Sequence, residues 1–283
     1  MTAPSFLGTL LAKKHQRILI LVRFYYDAMH KLLSIFLTLA LFQCLSFAQA
    51  GPQLYNMSFD EWSKDGSTWY PRPDKATPSQ RVWDTGNKGT KIVGKSITVP
   101  EEEFVAVKGP GKKAAKLMSQ DLKISFAPGG LYTGDFLRLV GMGAELSWGI
   151  PFTARPKSLH GYYHYTPKVI SSARAPYKDK KGQMDNGRIY VILADWDGKF
   201  ITKTTTSTFI DEMGDEHIIG YGSLPITGAS PEGKYEEFNL EIEYRSDRTP
   251  KYVVIVCSAS RWGDYFTGGD GSVLYLDEFS FVY

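Results

Sequence analysis

The stretch EFNLEIEYR, residues 237–245, alternates Phe238, Leu240, Ile242 and Tyr244 with Glu237, Asn239, Glu241 and Glu243. Successive side chains of a strand point to opposite faces, so such a segment turns one apolar face to a core and one polar face to water. A helix would scatter the same residues around its axis, and no segment after residue 50 keeps apolar spacing at i, i+3, i+4 and i+7 for three turns. Further period-two runs lie at 114–126, 159–165, 188–196 and 252–259. The last two are apolar on both parities over several residues, which marks central strands covered on both faces. Turn clusters such as Pro71-Arg72-Pro73-Asp74, Pro128-Gly129-Gly130 and Gly268-Gly269-Asp270-Gly271 separate the runs, with no low-complexity linker and no internal repeat. The expectation is an all-β chain: one domain of two antiparallel sheets packed as a β-sandwich, with a jelly roll as the variant that suits this many strands.

The first fifty residues read differently. His30-Lys31 precede an apolar stretch from Leu32 to about Ala48, and Ala48-Gln49-Ala50 stand before Gly51. This is the layout of a secretory signal peptide ending in A-x-A. A transmembrane helix wants roughly 20 predominantly apolar residues, whereas this run carries Ser34, Thr38, Gln43, Cys44 and Ser46. Phe42 and Gln43 are also too large for the positions before a lipidated cysteine. The expected organisation is an upstream extension over 1–28, a signal peptide over 29–50 and a single β-sandwich over 51–283, giving an exported protein with no membrane span in its mature chain. Export places it in the periplasm, at the cell surface or outside the cell.

Removing residues 1–50 takes away five Lys/Arg and one Asp, which changes the formal charge from +3 to −1, with 28 basic against 29 acidic residues. A nucleic-acid binder would show a basic stripe or cluster; Gly109-Pro110-Gly111-Lys112-Lys113 is a short solvated turn, and no nucleic-acid partner is expected. Cys257, in the apolar run YVVIVCSAS, is the sole cysteine left, so no intramolecular disulfide forms and the thiol reads as core.

The final run, SVLYLDEFSFVY, poses a problem of its own. Leu274 and Leu276 are apolar at even positions, Phe279, Phe281 and Tyr283 at odd ones, and Asp277-Glu278 lie where the phase changes. A β-bulge at Asp277-Glu278 accounts for the change. A carboxylate there needs a partner. Calcium takes oxygen ligands alone, and Asp60 in NMSFDEWS and Asp277 meet if the terminal strands pair, so structural calcium held by Asp60 and Asp277 is one reading. The other is a bulge carboxylate that caps backbone amides or pairs with a cation. Zinc is not expected, because His160 and His164 stand roughly 13 Å apart at about 3.3 Å per residue.

Aromatic residues make up 14% of the chain, and Trp62, Trp69, Trp83, Trp148, Trp196 and Trp262 lie in polar, turn-flanked surroundings. Sugar rings stack on such side chains while polar groups fix the hydroxyls, although a large β core consumes Trp as well. Trp262, between Arg261 and Gly263-Asp264, is the least core-like. Paired carboxylates for glycoside hydrolysis would stand about 5 to 9.5 Å apart, and Asp195 with Asp197 are close enough in sequence, but Asp197-Gly198 reads as a hairpin turn.

Several stretches together resemble the putative carbohydrate metabolism domain family: LYTGDF (131–136), WGIPFTARPKSLHGYYHYTP (148–167), NGRIYVIL (186–193), HIIGYGSL (217–224) and SASRWGDYFTGGDGSVLYLDEF (258–279). Phe59-Asp60-x-Trp62 stands where that family has Phe-Glu-x-Trp, and His164 where Lys is common. The resemblance implies a galactose-binding-like jelly roll that binds or processes glycans. For such a site the expected polar contacts are Arg155, Tyr163, Arg261 and Asp264, with Trp83 and Trp262 as stacking platforms for a glycan or polysaccharide. Two other functions remain open at this point: a glycoside hydrolase using two of Asp195, Asp197, Asp264 and Asp270, or a non-catalytic structural or adhesive surface protein.

Overall fold

The computed structural model describes residues 26, 29–31 and 51–283, and the chain divides into two compact units, Met1–Ala50 and Gly51–Tyr283. In the first, Tyr26 and Met29–Lys31 are helical; the expected extension and signal peptide otherwise lie outside the described residues. No described helix is long and apolar enough to cross a membrane.

The second unit is a sandwich of two antiparallel sheets. In the nine-stranded sheet the order is Phe200–Lys203, Gly143–Trp148, Gly130–Val140, Tyr252–Ser258, Gly187–Ala194, Ile218–Ile226 and Glu243–Tyr244. Ile150–Pro151 adds to Tyr252–Ser258, and Trp83–Thr85 adds to Gly130–Val140. The five-stranded sheet runs Glu236–Glu241, Ser158–Thr166, Val273–Val282, Ala114–Met118 and Thr98–Glu101. Between the sheets Leu117, Leu159, Ile189, Val191, Ile255 and Leu276 form a core without solvent exposure.

The alternating run 237–245 does span a half-buried surface, but it serves both sheets. Glu236–Glu241 pairs with Ser158–Thr166 in the smaller sheet, and Glu243–Tyr244 pairs with Ile218–Ile226 in the larger. Ile242, whose N–H donates to the Lys157 carbonyl at 2.8 Å, marks the crossing. Strands Gly187–Ala194 and Tyr252–Ser258 are central, as their two-sided apolar pattern requires. Two expectations fail. The run 114–126 stops at Met118, and Gln120–Asp121 then turns back on Phe126–Ala127 around Lys123, whose φ is 67°. Asp197-Gly198 is no hairpin turn, because the next strand, Phe200–Lys203, pairs with Gly143–Trp148 on the far side of the sheet.

The bulge in the last strand is present. Ser280 faces His160 and Asp277 faces Tyr162, so three steps on one strand answer two on the other. Glu278 takes up the slack at φ 48°. Leu274 and Leu276 before it, and Phe279 and Phe281 after it, therefore all turn to the core. The N-terminal segment runs along this strand without forming one: Phe279 N–H donates to the Met57 carbonyl at 2.8 Å, and the Gln53 side chain bonds both the N–H and the carbonyl of Phe281.

Gly161 is the residue passed over by the register shift, and a Cβ there would lie 2.4 Å from the Phe279 ring and 3.1 Å from Phe238. Gly161→Ala is therefore an overpacking change at the bulge, expected to cost roughly 1–3 kcal/mol. Urea denaturation monitored by Trp fluorescence should show the lower midpoint at an unchanged slope.

Candidate functional site

Odd-numbered residues of Gly187–Ala194 enter the sandwich core, so Tyr190 and Ile192 face the other side of the larger sheet. There they join Tyr132, Trp148, Val254 and Val256 in a second apolar cluster. Above it opens a cleft of about 280 Å³, lined by Tyr132, Trp148 and Tyr190 together with Arg188, Glu212 and Asp264.

Arg188 is the best-anchored of the polar groups. Its Nη1 and Nη2 donate to the two carboxylate oxygens of Glu212 at 2.9 and 2.5 Å, Nη2 also to the Tyr221 hydroxyl at 2.7 Å, and Nε to Ser223 Oγ at 3.0 Å. The Tyr221 hydroxyl donates to Glu212 Oε2 at 2.6 Å. Below, the guanidinium lies 4.5 Å from the centre of the Tyr190 ring. Burial opposes the arginine charge, but the bidentate bond and charge of Glu212 outweigh it and hold the guanidinium above its ordinary pKa.

Asp264 faces this pair from the turn Gly263–Tyr265, which Phe266 closes at φ 54°. Burial pushes its carboxyl up to about 6; the charge of Arg188 pulls it down and that of Glu212 pushes it further up. The groups that shift it include no hydrogen-bond donor. Trp148, 3% exposed, has an indole N–H without a hydrogen-bond partner among the described residues. The cleft thus combines an aromatic floor, a fixed cation, two carboxyl groups and an unpaired donor.

Of the six residues expected from the sequence, Arg261 and Asp264 line this cleft. Trp262 neighbours them in sequence but packs with Tyr177, ring centres 5.7 Å apart, and Lys180. Trp83 is a core residue, not a platform: it has no solvent exposure, and its indole donates to the Tyr55 carbonyl at 2.9 Å. Arg155 is structural. It donates to the carbonyls of Arg248 and Ser246 and lies 4.0 Å over the Tyr244 ring. Tyr163, on the smaller sheet, packs against the sandwich core. Sequence reasoning counted Trp148 only among the tryptophans that could stack on a sugar, and it missed Arg188, Glu212, Tyr190, Tyr221 and Tyr132 as site residues.

The other carboxylates considered for hydrolysis are held apart from the cleft lining. Asp195 pairs with His217 at 3.0 Å and Arg248 at 2.8 Å, and Asp197 with Lys251 at 2.9 Å. Asp270 is exposed and accepts from the Asp121 N–H.

Asp60 and Asp277 do not converge on a common ligand set. Asp60 Oδ2 accepts from Lys112 Nζ at 3.1 Å and Oδ1 from the Lys113 N–H at 2.8 Å. The same ammonium reaches Glu278 at 2.5 Å, which sets a positive charge between Asp60 and Glu278. Asp277 Oδ2 instead accepts from the Ala106 N–H at 2.7 Å, and its Oδ1 is buried without a partner. Among the described residues no group of three or more His, Cys, Asp and Glu is gathered to hold a metal ion.

The fold is thus a β-sandwich whose larger sheet carries an aromatic-floored, polar-walled cleft. This chain belongs to the family described as "Putative carbohydrate metabolism domain", which matches residues 58–282. Among solved structures, a putative glycoside hydrolase from Bacteroides thetaiotaomicron VPI-5482 matches with a TM-score of 0.61 at 19% identity, over 83% of this chain and 72% of that one. A putative glycoside hydrolase from Bacteroides vulgatus ATCC 8482 matches at 0.60 and 20% identity, over 82% of this chain and 98% of that one. At these identities the likeness establishes the fold. No curated protein matches the chain.

Burial pushes the Asp277 carboxyl up to about 6, against an opposing bond from the Ala106 N–H. A carboxyl whose folded pKa exceeds its unfolded value near 3.9 favours the folded state most below about pH 4, and that contribution is lost as pH rises through about 6. At 1% exposure the loss is about 3 kcal/mol by pH 8. Asp277→Asn removes the charge and keeps an acceptor for Ala106, so the variant should melt above the wild type at pH 8, with the gap closing below pH 4. Calcium that raises wild-type melting at pH 8, but not that of Asp277→Asn, would support the metal reading.

Proposed function

We propose that the protein is exported and binds a glycan in the cleft on the outer face of the nine-stranded sheet. The observation that carries this reading is the bidentate Arg188–Glu212 pair standing on the aromatic floor beside Asp264. A sugar ring stacks its C–H face on Tyr and Trp and offers neighbouring hydroxyls, which the Asp264 carboxyl accepts from and the remaining Arg188 Nη1–H donates to. The unpaired Trp148 N–H beside them is costly to leave without an acceptor, which a ligand hydroxyl can supply. The family membership and the two putative hydrolases of the same fold are consistent with a carbohydrate ligand.

Binding is favoured over chemistry, because both Glu212 oxygens are already engaged by Arg188 and Tyr221. One observation favours hydrolysis as a second reading: the Asp264 carboxyl is held up at about 6 in the same cleft as Glu212. A protonated carboxyl can act as general acid toward a glycosidic oxygen while a carboxylate assists from across the bond.

Calorimetry of the protein against a panel of oligosaccharides, with reducing-sugar release assayed on each hit, tests both. Trp148→Phe removes the unpaired N–H and shortens the indole to a phenyl ring, so ligand affinity should fall a few-fold, corresponding to roughly 0.5–1.5 kcal/mol, beside a lower melting temperature from the space left in the buried cluster. Unchanged affinity would remove Trp148 from the site. If a hit is hydrolysed, the rate should fall as pH rises above about 6, and Asp264→Asn should bind without cleaving. The intact mass of the protein exported by an expression host should correspond to a chain that begins at Gly51; a mass that retains residues 29–50 would overturn cleavage of a signal peptide.

A further inference from the structure

We propose that the cleft takes a sugar that bears an apolar substituent, an acyl or aryl group joined to the ring, with the sugar at the charged end and the substituent against an aliphatic rim. The inference rests on the glycan reading above and names the ligand class more closely.

Arg188, Glu212, Arg261 and Asp264 make up one part of the cleft lining, and another part is aliphatic. Ile92, Ile124, Leu139 and Met142 line the same opening and are 73, 55, 44 and 57% exposed. They arrive from three separate places: the short helical turn Lys91–Val93, the turn between Gln120–Asp121 and Phe126–Ala127, and the end of Gly130–Val140 with the hairpin that follows it. None of the four belongs to either buried core cluster. Single exposed aliphatic residues are ordinary on protein surfaces, whereas several that converge on the mouth of one cleft mark a place where something apolar binds.

An unsubstituted sugar fits that rim poorly, because hydroxyls set against aliphatic side chains lose water and gain no hydrogen bond. A flat protein surface would cover the rim and leave the charged end of the cleft unfilled. A small amphiphile satisfies both ends at once: its hydroxyls meet Arg188 and Asp264, and its hydrocarbon covers Ile92, Leu139 and Met142. The cavity of about 280 Å³ also sets the scale of the occupant to one substituted sugar unit rather than a macromolecule.

Isothermal calorimetry on the full chain decides it, using matched methyl, octyl and phenyl glycosides of a panel of sugars below their micelle concentrations, with tetraethylene glycol monooctyl ether as a sugar-free control. The expected result is binding at least tenfold tighter for the octyl or phenyl glycoside than for the methyl glycoside of the same sugar; which of the two gains more distinguishes an acyl from an aryl ligand. In the double variant Leu139→Ser/Met142→Ser that ratio should fall toward one, and unchanged melting confirms that the exposed substitutions leave the fold intact. Equal affinities for methyl and substituted glycosides would overturn the inference and leave the glycan reading standing. A panel in which no glycoside binds overturns both. Control ether that binds as tightly as the octyl glycosides, an affinity ratio that survives the double variant, or concentration-dependent self-association abolished by it, each overturns the inference as well.

Discussion

Asp185 is a carboxylate with no solvent exposure, and the loop that completes the cleft hangs from it. Its Oδ2 accepts from Ser260 Oγ at 2.6 Å, from the Gly269 N–H at 2.7 Å and from Ser272 Oγ at 3.0 Å, while Oδ1 accepts from the Asn186 N–H at 2.9 Å. Burial pushes its pKa up and these four donors pull against it, each offsetting part of the cost of a buried carboxylate. Ser260 extends the network to Ser119 Oγ at 2.7 Å, and Ser119 Oγ accepts from the Gly129 N–H at 3.1 Å. Both ends of segment 260–272 are thus tied to one buried charge at the start of strand Gly187–Ala194. Arg261 and Asp264 lie within that segment, and the Arg261 N–H is itself anchored on the Asn186 carbonyl at 2.6 Å. The cleft keeps its shape because a polar network at the end of the sandwich is fully satisfied.

Much of the sandwich was legible because strand periodicity is a local property. The two-sided apolar pattern of 188–196 and 252–259 identified central strands, and the phase change between Leu276 and Phe279 located a bulge to the residue. What the pattern could not show is which sheet a strand joins. Residues 237–245 keep one unbroken alternation while they leave one sheet and enter the other. Asp197-Gly198 has hairpin chemistry, yet the strand it leads to pairs four positions away across the sheet. Pairing partners are fixed by the whole core, and short-range signals carry no record of them.

The candidate site was less legible for a related reason. Asp264 and Arg261 stood out because polar residues beside a Trp in a Gly-rich turn have no core role to play. Arg188 did not, since it opens an apolar strand and reads there as a boundary residue. Its partner Glu212 is 24 positions away in a segment without strand periodicity, and Tyr221 is on the neighbouring strand. The tryptophans were indistinguishable by local context: Trp83 and Trp148 are both buried, one hydrogen-bonded inside the sandwich and the other unpaired beneath the cleft. A signal was available in the strand itself. In NGRIYVIL, Arg188 and Tyr190 share a parity, and an arginine on the same face as the aromatic of a doubly covered strand must find both a counter-charge and an opening.

That shared parity ties the site to the stability of the fold. Ile189, Val191 and Leu193 fill the space between the sheets, while Arg188, Tyr190 and Ile192 turn to the opposite face of the same strand. A slip of one residue in the register of this strand would exchange the two sets, burying an arginine in the sandwich and setting three aliphatic side chains under the cleft in place of the guanidinium and its aromatic support. The apolar core therefore sets the position of the guanidinium, and Glu212, Tyr221 and Ser223 fix its orientation. Rigid backbone below and satisfied hydrogen bonds around it leave Arg188 little rotamer freedom, the pre-organisation that the proposed glycan site calls for.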